Sequence, residues 1–184
     1  MPLHSICVFC GAKSGSRPAY VAAARTVGGA IADKGWRLIY GAGDVGIMGE
    51  VARAAMAGGA ATLGVIPAHL LGKERAGRDL ATLVVTETMH ERKKVMFMNA
   101  DAIVMLPGGA GSLDEFFEVL TWAQIGLHGK PIFLVDVEGY WQPLIALLDH
   151  IIAEGFAAPS LRGLFQTVAS PDALIGAVNQ ALAK

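Results

Sequence analysis

The sequence predicts an α/β chain: a Rossmann-like, doubly wound and mainly parallel sheet with helices on both faces, as a single domain over residues 1–184. Three observations lead there. Short apolar runs alternate with amphipathic segments from one end to the other. Continuously apolar runs suit strands buried on both faces, which is how a parallel sheet reads. The 23 glycines exceed the about 13 expected from average usage, and they gather in short loops between the runs. Finally, 184 residues of which 53% are apolar can bury a sizeable core, which excludes a disordered chain.

The elements follow in order. Residues 5–9 form a first apolar strand that stops at Gly11. Arg17 and Pro18 open a helix with proline in its first turn. Tyr20, Ala24, Val27 and Ile31 give that helix one buried face, and Gly35 ends it. Residues 37–40 are a second strand, followed at once by the glycine loop GAGDVG (41–46) and a helix over 47–57 that Gly58 and Gly59 stop. Residues 62–66 are a third strand. The stretch 67–81, with proline, glycine and mixed charge, reads as a long loop of the kind that often carries function. Residues 83–86 are a fourth strand, 89–99 a helix, and 102–106 a fifth, fully apolar strand. PGGAGS (107–112) is the next loop, with a helix over 113–125 behind it. Residues 132–135 are a sixth strand, 141–154 a long helix, 167–168 an edge strand, and 171–182 a last helix capped by Ser170. In such folds ligands sit beyond the carboxyl ends of the strands, and both glycine-rich loops fall on that rim.

Composition narrows the function. Fifteen Lys and Arg against sixteen Asp and Glu leave a net charge of −1. That disfavours a general nucleic-acid binder, which needs a basic excess, but leaves room for one small anionic ligand. The start MPLHSICVFCGAKSG lacks a signal peptide's basic and long apolar regions. No run approaches ~18 uninterrupted apolar residues, so no membrane span is expected. In LIALLDHIIAEGFAAP, Asp149, His150 and Glu154 intervene. A cytoplasmic location is the expectation. Cys7 and Cys10 are too few for a disulfide framework and read as core thiols.

The loops and the helix between them carry the chemistry. GAGDVG matches GxGxxG, but it follows the second strand, and the acidic residue that a dinucleotide site needs after the next strand is missing at Ile66 and Pro67. An anion held near Gly43 and Gly46 by the helix start fits better. In PGGAGSLDE, Gly108, Gly109 and Gly111 allow close backbone approach to a ligand, and Ser112 can cap the helix or donate to a phosphate. No lysine follows, so this is not a Walker A loop. Glu115 lies three residues after Ser112, the spacing of a capping box, so it reads either as a cap or as a functional acid. Asp114 and Glu118 read as dipole partners or solvated surface. On the helix MHERKKVM, Met89, Arg92 and Met96 share one face. An arginine on an apolar stripe either snorkels to water or meets an anion. Lys93 borders that face, and reads first as solvated charge. His90 and Glu91 begin an HExxH that lacks its second histidine.

Together these segments resemble the LOG (LONELY GUY) family of phosphoribohydrolases, often mislabelled lysine decarboxylase-like. The likeness runs from residue 6 to about residue 141. It comprises ICVFCGAKSGSRPAY, YGAGDVGIMGEV, the pair MHERK and DAIVMLPGGAGSLDE, and EVLTWAQIGLHGKPIFLVDVEGYW. The resemblance implies that Arg92 and Glu115 are catalytic. It implies nucleotide contacts by Met89, Lys93, the 108–112 loop (Gly108, Gly109, Gly111, Ser112) and Thr121. The implied reaction cleaves the N-glycosidic bond of a nucleoside 5'-monophosphate, often with an N6-modified adenine, to free base and ribose 5-phosphate. The implied enzyme is a homodimer without metal or cofactor. From other classes come a carrier that binds a phosphate-bearing nucleotide or cofactor without cleaving it, and a dinucleotide oxidoreductase. A lysine decarboxylase is disfavoured, because no segment argues for a Schiff-base lysine.

Overall fold

In the computed structural model, which describes residues 4–71 and 82–183, seven strands form one sheet and every adjacent pair runs parallel. In chain order the elements are β1 (Ser5–Phe9), α1 (Pro18–Asp33), β2 (Arg37–Tyr40), α2 (Gly46–Ala57), β3 (Thr62–Pro67), β4 (Thr82–Thr86), α3 (Met89–Asn99), β5 (Ala102–Met105), α4 (Ala110–Gln124), β6 (Ile132–Val135), α5 (Gln142–Ala153), β7 (Gln166–Val168) and α6 (Pro171–Leu182). Short 3₁₀ turns cover Ala68–Leu70, Val137–Gly139 and Pro159–Leu164. Of the expected 67–81 loop, Pro67 closes β3, and residues 72–81 lie outside the described residues.

Strand alternation divides the core in two. Ile6, Val8 and Cys10 face α1, α2 and α6, packing with Val27, Ile31, Val51 and Val178. Cys7 and Phe9 face α3, α4 and α5, packing with Met96, Phe116, Val119 and Leu148. Side chains of one strand point to opposite faces, so a strand apolar throughout must be covered on both. β4 at the sheet edge departs from this: Leu83 and Val85 are exposed. Among the described residues, no helix is long and apolar enough to cross a membrane.

The strand order β4-β3-β2-β1-β5-β6-β7 reverses direction between β1 and β5. At that point the chain beyond β1 turns one way and the chain beyond β5 the other, opening a crevice at the strands' carboxyl ends. The backbones touch there: Gly11 N–H donates to the carbonyl of Pro107 at 3.0 Å.

Candidate active site

Four segments, joined by Tyr20 of α1 and by Tyr140, meet over the crevice and line a cavity of about 450 Å³. They are the β1–α1 loop at residues 10–15, the start of α2 at Ile47 and Met48, the first turn of α3 at Met89 and Arg92, and the β5–α4 segment. From the last come Pro107, Gly108, Gly109, Gly111, Ser112, Asp114 and Glu115.

Arg92 owes its place to the start of α3. Thr88 is the N-cap: its hydroxyl accepts from Glu91 N–H at 3.2 Å, and Glu91 accepts from Thr88 N–H at 3.1 Å. A cap of this kind contributes about 1 kcal/mol and fixes the first turn. Arg92, one residue on, does not snorkel; it is 4% exposed. Its Nη2 donates to the carbonyl of Gly41 at 2.7 Å and its Nε to that of Val65 at 3.1 Å. A buried guanidinium is tolerable when its donors meet carbonyls in this way. Gly41 is required by the close approach: a Cβ there would sit 2.0 Å from Nη2.

α4 brings the acid. The helix begins at Ala110, three residues before the sequence suggested, with Gly109 as N-cap and no side-chain cap. The capping box expected from Ser112 and Glu115 is therefore corrected. Ser112 is the third residue of the helix, is buried, and lines the cavity. The first N–H groups of a helix have no acceptor within it. Here that end, with Gly109, Gly111 and Ser112, faces the cavity, which suits an anion. Gly108 allows this packing, since a Cβ on it would lie 2.0 Å from Ser112 Oγ and 2.8 Å from Gly11 N.

Glu115 follows Ser112 by three residues, on the same face, and is half-buried. Burial pushes its carboxyl up to about 8. The Arg92 guanidinium opposes that rise, Asp114 adds to it, Lys93 opposes it and Glu118 adds again. Arg92 and Glu115 thus line one cavity and are electrostatically coupled.

Lys93 is not solvated surface. It is 5% exposed, and its Nζ meets Asp114 at 2.9 Å and Glu118 at 3.2 Å, joining α3 to α4. Burial works against its charge, but the hydrogen bonds it donates to those two carboxylates prevail and hold the ammonium above its ordinary value. Asp114 and Glu118 are correspondingly ion-pair partners, not idle surface. Lys93 does not line the cavity, and nor does the exposed Thr121, six residues beyond Glu115.

Nor do Gly43 and Gly46. Behind them, the N–H groups of Ile47 and Met48 donate to the carbonyls of Lys13 at 3.4 Å and Gly11 at 3.1 Å, while Gly43 N–H faces the sulfur of Met48 at 3.3 Å. The second anion site expected at 43–46 is corrected: the chain's own β1–α1 loop occupies that helix start. Lys13, Tyr20 and Tyr140 line the cavity and were not picked out as site residues by the sequence. Cys7 and Cys10 are free and buried, and burial raises both thiols, so they are inert as core thiols should be.

A family model described as "Possible lysine decarboxylase" matches residues 48–178. The chain is 46% identical over 168 residues to the probable cytokinin riboside 5'-monophosphate phosphoribohydrolase LOGL9 of Oryza sativa subsp. japonica, covering 91% of this chain and 73% of that one. It is 43% identical over 168 residues to the cytokinin riboside 5'-monophosphate phosphoribohydrolase LOG7 of Arabidopsis thaliana, covering 91% and 76%. Among solved structures, the molybdenum cofactor carrier protein of Chlamydomonas reinhardtii superposes with a TM-score of 0.78 over the whole of both chains at 24% identity, a likeness of fold alone. With the family model matched over most of its length, and relatives of this similarity, the chain belongs to the LOG family.

Proposed function

We propose that this chain hydrolyses the N-glycosidic bond of a nucleoside 5'-monophosphate, with an N6-modified adenosine 5'-monophosphate as the natural class of substrate. One observation carries the reading: a single cavity is lined both by the Arg92–Glu115 pair and by the uncapped, glycine-rich start of α4. The relatives' names support it. The cavity volume is in the ordinary range for a small-molecule site.

The 5'-phosphate rests on the N–H groups and the Ser112 hydroxyl at the start of α4, where helix dipole and unpaired donors favour an anion. Lys13, on the facing loop, adds positive charge at the rim. Anchoring the phosphate tethers the ribose, turning recognition into orientation. As the bond from C1' to the base nitrogen breaks, positive charge grows on the sugar, and the ionised carboxylate of Glu115 stabilises it. Water supplies hydroxide to C1' and its proton to the departing base, giving ribose 5-phosphate and free base. Arg92 holds Glu115 closer to its ionised form by its charge.

The test is release of ribose 5-phosphate from a panel of nucleoside monophosphates across pH. In the free enzyme, kcat/KM should climb about tenfold per pH unit and level off near pH 8, the value set by burial of Glu115. The substrate's own phosphate titrates near ~6 and leaves a separate limb. A carrier on the same fold would bind the nucleotide and release no sugar. A profile that falls through pH 8 would reassign Glu115 as a proton donor.

A homodimer in the cytoplasm completes the reading. Val85 on β4, Met98 on α3, and Ile125 and Leu127 after α4 are large apolar side chains left exposed, and a second copy would cover them. Sedimentation should find two chains per particle; a monomer at micromolar concentration would remove this part.

A further inference from the structure

Tyr140 lines the cavity, yet none of the steps above uses it. Its hydroxyl donates a hydrogen bond to the carbonyl of Gly108, at the head of the anion-binding segment. Its ring is held edge-on by Tyr20, with centroids 5.4 Å apart at 75°, and by Trp141 at 4.8 Å and 83°. The backbone around it is tied down as well. The Asp136 carboxylate accepts from Trp141 N–H at 2.7 Å and from the Gln142 amide. Arg17 donates to both the carbonyl and the carboxylate of Glu138, at 3.2 and 3.3 Å. Trp141 is buried, so the tyrosine stands on a rigid base.

The peptide that it grips joins two glycines. Gly108 and Gly109 carry no side chains, so no Cβ limits the backbone angles on either side of the unit between them. In a planar trans peptide the carbonyl and the next N–H point in opposite directions. Whatever orients the Gly108 carbonyl therefore also orients the Gly109 N–H, at the N-cap of α4. A carbonyl without a donor beside an incoming phosphate would repel it, whereas one engaged by a hydroxyl does not.

We propose that Tyr140 is a positioning residue for phosphate recognition: its hydroxyl locks the Gly108–Gly109 peptide in the orientation that an anion at the start of α4 requires. This rests on the reading of that helix start as the phosphate site. Tyr140 touches no reacting atom in this role. It acts through the backbone of its neighbour, and Tyr20 acts through Tyr140 by holding its ring.

The test uses Tyr140→Phe, which keeps the ring and both edge contacts and deletes only the hydroxyl. Binding of ribose 5-phosphate is measured by calorimetry, and KM and kcat are measured with AMP, on the full chain. The ribose 5-phosphate Kd and the AMP KM should rise together by about tenfold, with kcat moving much less, since the lost hydrogen bond acts on binding of the phosphate. A merely structural role would lower the melting temperature and disturb kcat and KM without that pairing. Tyr20→Leu, which leaves the hydroxyl but removes one ring support, should give a smaller rise of the same kind, and keeps the test open if Tyr140→Phe does not fold. If wild type binds ribose 5-phosphate and folded Tyr140→Phe binds it within twofold, the proposal is overturned. If wild type itself binds no ribose 5-phosphate, the phosphate site fails, and this inference with it; the wild-type measurement tells the two failures apart.

Discussion

Glu115→Gln should lower the turnover of a nucleoside 5'-monophosphate by at least about 10²–10³-fold while making the protein more stable at alkaline pH. The first half follows from charge. Gln fills the same space and keeps hydrogen-bonding capacity, but it brings no negative charge to a sugar turning cationic, and removing one preorganised group of that kind typically costs this much. The second half follows from burial. The carboxyl of Glu115 is pushed up to about 8 in the folded chain, chiefly because the site desolvates it. In the unfolded chain it titrates near ~4.3. A group whose folded pKa is raised contributes stability that is complete below its unfolded pKa and is lost as pH rises through its folded pKa. Wild type should therefore weaken between about pH 4 and pH 8, and Gln, neutral throughout, should not. After a discount for the solvent that reaches a half-buried side chain, the gain at pH 9 is about 2 kcal/mol, or roughly 4–8 °C in Tm. Thermal melts of both proteins at pH 5 and pH 9, beside single-turnover assays, measure the two halves together. Melting curves that coincide at pH 9 would mean that the acid is well solvated, and near-normal turnover would mean that it is not catalytic.

That trade of stability for charge also marks what the amino-acid sequence discloses and what it does not. The strands were legible because a sheet covered on both faces demands unbroken apolar runs, and residues such as Ile6 to Phe9 and Ala102 to Met105 have no other use. β4 was legible in place but not in environment, since apolar residues do not announce that an edge strand leaves Leu83 and Val85 exposed. Within the site, the β5–α4 loop and the Arg92 helix could be found from local motifs. The start of α4 could not, because Gly111 is a poor helix former and Ser112 a weaker one than Ala110, so local propensity places the start behind them. The real capping box, Thr88 with Glu91, has the expected spacing. Lys93 looked solvated because its partners lie 21 and 25 positions away on another helix. Tyr20 and Tyr140 come together only through topology. No local pattern joins residues 120 positions apart, although the place of Tyr20 on the buried face of α1 did mark it as inward.

Arg92→Ala should also cut turnover by about 10²–10³-fold, and with a signature that separates lost electrostatics from lost structure. The guanidinium draws the Glu115 carboxyl downward, against burial. Without it the carboxyl stays protonated to higher pH, so the rising limb of kcat/KM should move above pH 8, and activity should partly recover in alkaline buffer. Deleting Arg92 has a second effect: the carbonyls of Gly41 and Val65 lose their donors, which costs up to about 1–3 kcal/mol for each one left buried and unsatisfied. A drop in activity alone would thus be ambiguous. The position of the pH limb resolves it, and Gly41→Ala tests that position a second way. The new Cβ would meet Nη2 at 2.0 Å and the guanidinium carbon at 3.0 Å, both at the far end of a flexible side chain, and its next contact is the sulfur of Met48 at 3.1 Å. Such a clash evicts the guanidinium while the charge stays on the protein, and it leaves the same two carbonyls without their donors. The two variants should share the upward displacement of the pH limb, and both should melt below wild type. If both melt normally and both keep the limb at pH 8, Arg92 has no electrostatic hold on the acid, and the pairing at the centre of this site does not exist.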